Sequence, residues 1–172
     1  MGNSFFEYLQ QLELMAFFSG YPLLYAVILY FAGNKRSKNN FKSRMVLALP
    51  FAYALTGTLY LGLQLKKLYF SYTSGNVKQI MLHPYLIVWG LLSILFWIPA
   101  LSKKKELSLI HSLVFFFFLV RDLILQFADS SADKFMLRND MRIYTISILL
   151  NLGAFILIIL LSFLVAPQKE RQ

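Results

Sequence analysis

Residues 106–127 read ELSLIHSLVFFFFLVRDLILQF, and this stretch decides the fold of the chain. It is long enough to cross the hydrocarbon core of a bilayer, which takes about 20 apolar residues in a helix. Yet Arg121 and Asp122 stand well inside the apolar run, where no water solvates a charge. We therefore interpret the stretch as a transmembrane helix whose two charges need either a water-filled recess or partners from neighbouring helices.

The rest of the 172-residue chain is equally apolar, with 58% hydrophobic residues, 15% charged residues and no cysteine. Five stretches approach or exceed the roughly 18–20 apolar residues that span a membrane. The predicted fold is all-α: an integral membrane protein that forms a five-helix transmembrane bundle with short connectors. We predict a single transmembrane domain over residues 1–172, with spans at about residues 12–33, 45–65, 85–101, 107–127 and 143–166.

Prolines predict the local geometry of the first and third spans. Gly20, Tyr21 and Pro22 fall near the middle of the first span. A kink is expected there because proline removes a hydrogen bond within the helix. The third span is short, with Trp97 and Pro99 near its end, and only a tight return connects it to the fourth span. Such a short connection predicts that these two spans pack as an antiparallel hairpin.

The basic residues lie mainly in the connectors, and their uneven distribution predicts the orientation of the chain. Ten lysines and arginines fall on one side of the predicted membrane and six on the other. Because the more basic side faces the cytoplasm, we predict an outside N-terminus and a cytoplasmic C-terminus, in a bacterial inner membrane. Anionic lipids are the expected partners of the basic side. No nucleic-acid partner is expected, since the basic residues form no continuous face.

Four polar side chains within the spans are candidates for a functional site: Arg121, Asp122, His111 and Asn151. Asp122 follows His111 by three helical turns plus about 20°, so both lie on one face of the helix. We predict that Arg121 or Asp122 contacts either Asn151 or the tyrosines of the second span. Two interpretations stay open. The charges either clamp the helices in register or line a polar path, with Asp122 coupled to protons and His111 as relay.

The second span carries two lines of residues that suit helix packing. The first line recurs at three- and four-residue steps and consists of Pro50, Tyr53, Gly57, Tyr60 and Gln64. The second line has the small-residue spacing that lets membrane helices approach closely and consists of Ala54, Thr58 and Gly62. Two such lines predict that this helix has neighbours on two sides.

Residue types for enzyme chemistry do not occur at the required spacing. Asp122 and His111 share a face but lie about 16 Å apart along the helix axis, too far for a direct acid–base pair. His83 has no second histidine at a spacing that would bind a metal. The glycines form no phosphate-binding loop. We therefore predict no catalytic residue, no cofactor and no metal.

The favoured interpretation is a non-enzymatic multi-pass membrane protein. It would serve as a packing or accessory subunit of a larger or homo-oligomeric membrane complex, because little sequence lies outside the spans. The alternative is a small transporter or channel whose polar path passes Asp122, His111, Arg121 and Asn151. An enzyme that acts on a lipid is the third interpretation. The sequence carries no motif that identifies a family.

Overall fold

A computed structural model describes residues 14–32, 40–74, 84–128 and 134–165, which are helical apart from short turns. The first helix, α1 (Tyr21–Ala32), follows a helical segment at residues 14–18 and a turn at Ser19 and Gly20. The later elements are α2 (Asn40–Ser74), α3 (Pro84–Leu91), a 3₁₀ helix (Leu92–Trp97), α4 (Pro99–Ser102), α5 (Lys105–Ala128) and α6 (Lys134–Val165). The predicted all-α class is confirmed.

Four helical stretches are long and apolar enough to cross a membrane. They are Leu14–Ala32 with 19 residues, Lys42–Tyr69 with 28, Lys105–Leu125 with 21 and Met141–Leu164 with 24. These stretches correspond to the first, second, fourth and fifth predicted spans. The remaining apolar stretch, Pro84–Trp97, is shorter than a spanning helix. A fifth crossing is therefore not established by length and composition.

The third predicted span differs most from a regular helix. The α-helix tightens into the 3₁₀ helix at Leu92, and the helical conformation is interrupted at Ile98, whose φ and ψ are −74° and 122°. Extended geometry is expected at Ile98 because the ring of Pro99 disfavours the α conformation in the residue before it. Pro99 itself begins α4, where a missing N–H breaks no helical hydrogen bond. The predicted tight return follows, closed by a 3.2 Å hydrogen bond from the Lys103 N–H to the Pro99 carbonyl.

Helix α2 lies at the centre of the bundle and contacts every other helix. It runs antiparallel to α3 and the 3₁₀ helix, as three successive contacts record: Tyr53 with Phe96, Gly57 with Ser93, and Tyr60 with Gly90. The two elements approach closely at Gly57, where an added Cβ would overlap the hydroxyl of Ser93. The core is largely aromatic, and its fully buried rings are Phe18, Tyr21, Tyr53, Tyr60 and Phe115.

Candidate functional site

His111 of α5 lies at the centre of a hydrogen-bonded cluster that joins three elements. Its Nδ1 is 2.6 Å from the Tyr53 hydroxyl of α2, and its Nε2 is 2.8 Å from the Trp89 carbonyl of α3. A carbonyl only accepts, so Nε2 carries the proton. In the neutral ring Nδ1 is then the acceptor, and the Tyr53 hydroxyl donates to it. Both nitrogens of His111 are thus occupied by neighbouring helices.

Aromatic rings enclose His111. The Trp89 ring stacks on the imidazole with a centroid distance of 4.9 Å and an interplanar angle of 5°. The rings of Phe96 and Phe115 complete the enclosure at 6.1 Å and 5.9 Å. Only 8% of His111 is exposed. Such stacked and edge contacts hold the imidazole in one orientation, so the cluster is rigid rather than an open cleft.

A second polar contact joins α1 to α5 nearer the start of α5. The Ser108 hydroxyl donates to the Lys105 carbonyl at 2.7 Å, within its own helix. Because a hydroxyl has a single proton, the Tyr21 hydroxyl, at 2.9 Å, is the donor to Ser108. The Tyr21 ring also lies 4.4 Å from the ring of Tyr53. This contact therefore extends the His111 cluster towards α1.

Side chains of α6 form hydrogen bonds with backbone groups at the break in the first stretch. The Gly20 N–H donates to the Ser147 hydroxyl at 2.8 Å, and the Asn151 amide donates to the Phe17 carbonyl at 2.8 Å. These backbone groups lie at the turn that separates residues 14–18 from α1. Broken helices are tolerated in membrane proteins where a neighbouring helix satisfies the freed backbone groups. Helix α6 does so here, and the predicted interruption of the first span is present.

Both the NH₂ group and the oxygen of the Asn151 amide contact neighbouring groups. The NH₂ group also donates to the Ser147 carbonyl at 2.8 Å, and the amide oxygen lies 3.4 Å from the Thr56 hydroxyl of α2. The Thr56 hydroxyl shares its proton between this amide oxygen and the Ala52 carbonyl, which lies 3.1 Å away. Asn151 therefore connects α6 to both the broken first stretch and the central helix.

Arg121 and Asp122 lie apart from both clusters. They follow His111 by ten and eleven residues, which is about 15 Å along the helix. Arg121 is exposed and forms no hydrogen bond or ion pair with the described residues, whereas Asp122 is half-buried and does take part in an interaction. The structure thus brings His111 and Asn151 into the interior and does not bring Arg121 to Asn151 or to the tyrosines of α2.

The predicted packing residues of α2 divide into a buried line and a partly open one. Tyr53, Gly57 and Tyr60 are buried, and so is Ala54. Thr58 and Gly62 are exposed. The Thr58 hydroxyl accepts a 2.9 Å hydrogen bond from the Trp97 indole. At Gly62, an added Cβ would meet no described atom within 4 Å. The small-residue line is therefore buried at Ala54, whereas Thr58 and Gly62 face the outside of the bundle.

Sequence reasoning missed two residues of these clusters, Trp89 and Thr56. Trp89 joins the site mainly through its backbone carbonyl, which no side-chain pattern reveals. A tryptophan well inside an apolar stretch was nevertheless a signal, since an indole N–H in apolar surroundings needs an acceptor. That N–H lies 3.4 Å from the His111 carbonyl. Thr56 belongs to neither predicted line of α2, and its burial depends on α6.

The two clusters present hydrogen-bonded groups rather than a free nucleophile or ligand set. Within the described ranges, no three His, Cys, Asp or Glu side chains come together as a possible metal site. Comparison of the chain with family models, with curated proteins and with solved structures finds no match. The function is therefore inferred from these contacts alone.

Proposed function

We propose that this chain is a non-enzymatic, multi-pass membrane protein that forms a five-helix transmembrane bundle. In this proposal it is a packing or accessory subunit of a larger or homo-oligomeric membrane complex. The observation that supports this proposal is that the buried polar side chains form hydrogen bonds to neighbouring helices. Tyr53, His111 and Asn151 each bond to another helix, as expected of groups that fix helix register.

The dimensions of the third apolar segment support a fifth crossing. Eight α-helical residues in α3 rise about 12 Å, and six 3₁₀ residues, at the larger rise of 2.0 Å each, add about 12 Å. The total of about 24 Å for Pro84–Trp97 approaches the roughly 30 Å hydrocarbon thickness of a bilayer. The 3₁₀ geometry thus lengthens a segment that would be short as a regular helix.

The outer faces of the bundle support a role in assembly. Half of the residues are buried in the spanning windows of the first stretch and of α2, but only 28% in α5 and 22% in α6. On α2, the open end of the small-residue line at Gly62 is of the kind that lets a second helix approach closely. Self-association through this line would bury it.

Purification from membranes in a mild detergent tests the assembly proposal. We expect a complex larger than one chain by native mass spectrometry, either a homo-oligomer or a stable complex with another chain. Gly62→Leu should weaken this complex, while Ile110→Phe, a bulk increase on the exposed face of α5, should not. A strictly monomeric protein across detergents and concentrations would contradict the proposal.

A second candidate function is a small transporter or channel with a polar path through Asp122, His111, Arg121 and Asn151. The broken first stretch favours it, because discontinuous helices at membrane depth often line binding sites in transporters. Proton flux into liposomes that contain a trapped pH-sensitive dye is the test. Flux lost in Asp122→Asn and kept in Glu106→Gln would establish this function. No flux above that of empty liposomes would exclude proton coupling.

A further inference from the structure

Two hydrogen-bonded pairs lie one helical turn apart on the inward face of α5. The first pair joins Tyr21 of α1 to Ser108 at 2.9 Å, and the second joins Tyr53 of α2 to His111 at 2.6 Å. Ser108 and His111 are three residues apart, so their side chains are neighbours on the helix surface. The rings of Tyr21 and Tyr53 lie 4.4 Å apart. These four side chains therefore form one row along α5, which we call the polar row.

The polar row reaches water at the end of the bundle where α5 begins. Glu106, two residues before Ser108, is exposed, and its carboxyl group lies near the Tyr25 hydroxyl. The Tyr25 ring is 6.0 Å from the ring of Tyr21. Glu106 precedes His111 by five residues, about 7.5 Å along the helix axis. Protonatable groups thus connect an exposed carboxyl to the buried imidazole over a short distance.

Beyond His111, the same face of α5 is apolar. Phe115 and Phe118 occupy the next positions on this face. The buried ring of Phe115 stacks on the ring of Phe18, with a centroid distance of 4.8 Å. Phenyl rings have no group that donates or accepts a proton. Among the described residues, the polar row therefore ends at His111 and does not continue towards Asp122.

The surroundings of His111 leave one place for an added proton. Nε2 already donates to the Trp89 carbonyl, so the proton must go to Nδ1. The Tyr53 oxygen can then accept from Nδ1. The stacked indole of Trp89 presents its face to the imidazole, and a cation is attracted to such a face. The described side chains recorded against the ring are Tyr53, Trp89, Phe96 and Phe115. Of these, only Tyr53 is titratable, and none is charged.

We propose that His111 is a proton-binding site that exchanges with water only at the end of the bundle where α5 begins. Tyr53 passes its hydroxyl proton to Nδ1 and receives another from the pair of Tyr21 and Ser108. That pair takes a proton from water near Glu106, so the net change is one proton moved from water to His111. The inference goes beyond the proposed subunit role and does not depend on it.

The fluorescence of Trp89 tests this proposal, because a protonated imidazole quenches an indole that stacks on it. Trp97→Phe leaves Trp89 as the only tryptophan of the chain. In this background we expect acidification of the protein in detergent micelles to quench Trp89, and His111→Gln to abolish the effect. After a rapid acid jump, Tyr21→Phe should slow quenching on the order of 100-fold, the lower end of what a positioned proton-transfer group contributes. The midpoint pH should not move. Tyr60→Phe, which removes a buried hydroxyl outside the polar row, is the matched control and should leave the rate unchanged.

Equal quenching rates in Tyr21→Phe and Tyr60→Phe would overturn the inference. So would a midpoint that moves together with the rate in Tyr21→Phe, or fluorescence that does not respond to pH.

Oriented liposomes of the Trp97→Phe chain provide a test without any substitution in the polar row. Acid added on the side of Lys104 should quench Trp89 at once, and acid added on the other side only as protons leak across the bilayer. Prompt quenching from that other side would overturn the inference. A strictly monomeric protein would contradict the proposed subunit role and would leave this result unaffected.

Discussion

Tyr53 and Tyr60 are fully buried on the same face of α2, yet their hydroxyl groups have different surroundings. The Tyr53 hydroxyl donates to His111, whereas the Tyr60 hydroxyl has no partner at hydrogen-bond geometry among the described residues. The Gln64 side chain, one turn further on, lies near the Tyr60 hydroxyl. The same substitution at the two positions therefore separates the contribution of a hydrogen bond from that of ring packing.

Tyr53→Phe should lower the free energy of unfolding by about 1–3 kcal/mol, because it leaves Nδ1 of His111 without a donor in a buried site. Tyr60→Phe should change it by less than about 0.5 kcal/mol, or raise it, because a buried hydroxyl without a partner is removed. Unfolding in detergent micelles titrated with SDS measures both. Equal losses in the two variants would show that the His111 contact contributes nothing specific.

The residue scale also shows what the sequence could and could not predict. The period of α5 places Ser108, His111 and Phe115 on one inward face, and all three are buried. The position of Asn151 in the most apolar span likewise predicts an inward amide. Their partners could not be predicted, because Asn151 donates to the carbonyl of Phe17, and any residue type can offer a carbonyl.

The two charges of α5 differ in their surroundings: Arg121 is exposed, whereas Asp122 is half-buried and takes part in an interaction, so the predicted partner for Asp122 stays a prediction. Hydropathy alone places Arg121 within the hydrocarbon, where a charge is expected to need a buried partner. The residue lies in the last two turns of α5 on an exposed face. There a long side chain can reach the headgroup level. Which face a residue occupies depends on how the neighbouring helices pack, and that information is absent from a single span.

At the scale of elements, the contact between the broken first stretch and α6 is tight. An added Cβ at Gly20 would lie 2.6 Å from the backbone nitrogen of Ile148. Backbone atoms cannot rotate away as side chains can, so the two elements would have to separate. An added Cβ at Gly153 would meet no described atom within 4 Å.

We expect Gly20→Ala to destabilise the protein by about 1–3 kcal/mol, the range typical of overpacked cores. The control Gly153→Ala should be neutral, or stabilising by up to about 1 kcal/mol, because alanine favours a helix over glycine. The SDS midpoint of each variant distinguishes these outcomes. A neutral Gly20→Ala would mean that the first stretch does not pack on α6.

Asn151→Leu tests whether α6 holds the break closed. The substitution keeps the approximate size of the side chain but leaves the Phe17 carbonyl without its donor. We expect a loss of about 1–3 kcal/mol and faster amide hydrogen exchange at the turn before α1. Thr145→Val is the control, because among the described residues this exposed hydroxyl bonds only to the Met141 carbonyl of its own helix. Unchanged exchange in Asn151→Leu would show that the break is stable without α6.

The third apolar segment shows why element boundaries are hard to predict. Pro99 in the sequence correctly indicates where the segment ends. The change from α-helix to 3₁₀ helix at Leu92 has no comparable sequence signal, since the residues there are ordinary helix formers. It coincides with close contacts of the segment with α2 and α5, through Ser93 against Gly57 and Trp89 against His111. Tertiary packing therefore sets this geometry.

At the scale of the whole molecule, the number of crossings decides which ends share a side of the membrane. With five crossings, Lys66 and Lys104 lie on opposite sides. If the third apolar segment does not cross, they lie on the same side. The native chain contains no cysteine, so a single introduced thiol can be labelled without background.

We expect Lys104→Cys to react with a membrane-impermeant maleimide only after spheroplasts are opened, and Lys66→Cys to react in intact ones. This outcome would establish five crossings, with the N-terminus outside and the C-terminus in the cytoplasm. Reaction of both thiols under the same condition would indicate four crossings. The reverse pattern would keep five crossings and invert the orientation.

The hydrogen bond between Gly20 and Ser147 joins residues 127 positions apart, and this separation affects the order of biosynthesis. At about 5–20 residues per second, a ribosome needs roughly 6–25 s to reach Ser147 after Gly20. During that interval the Gly20 N–H and the Phe17 carbonyl lack their hydrogen-bond partners on α6. A nascent chain that stalls before α6 is therefore left with backbone groups of its first helix unpaired within the hydrocarbon.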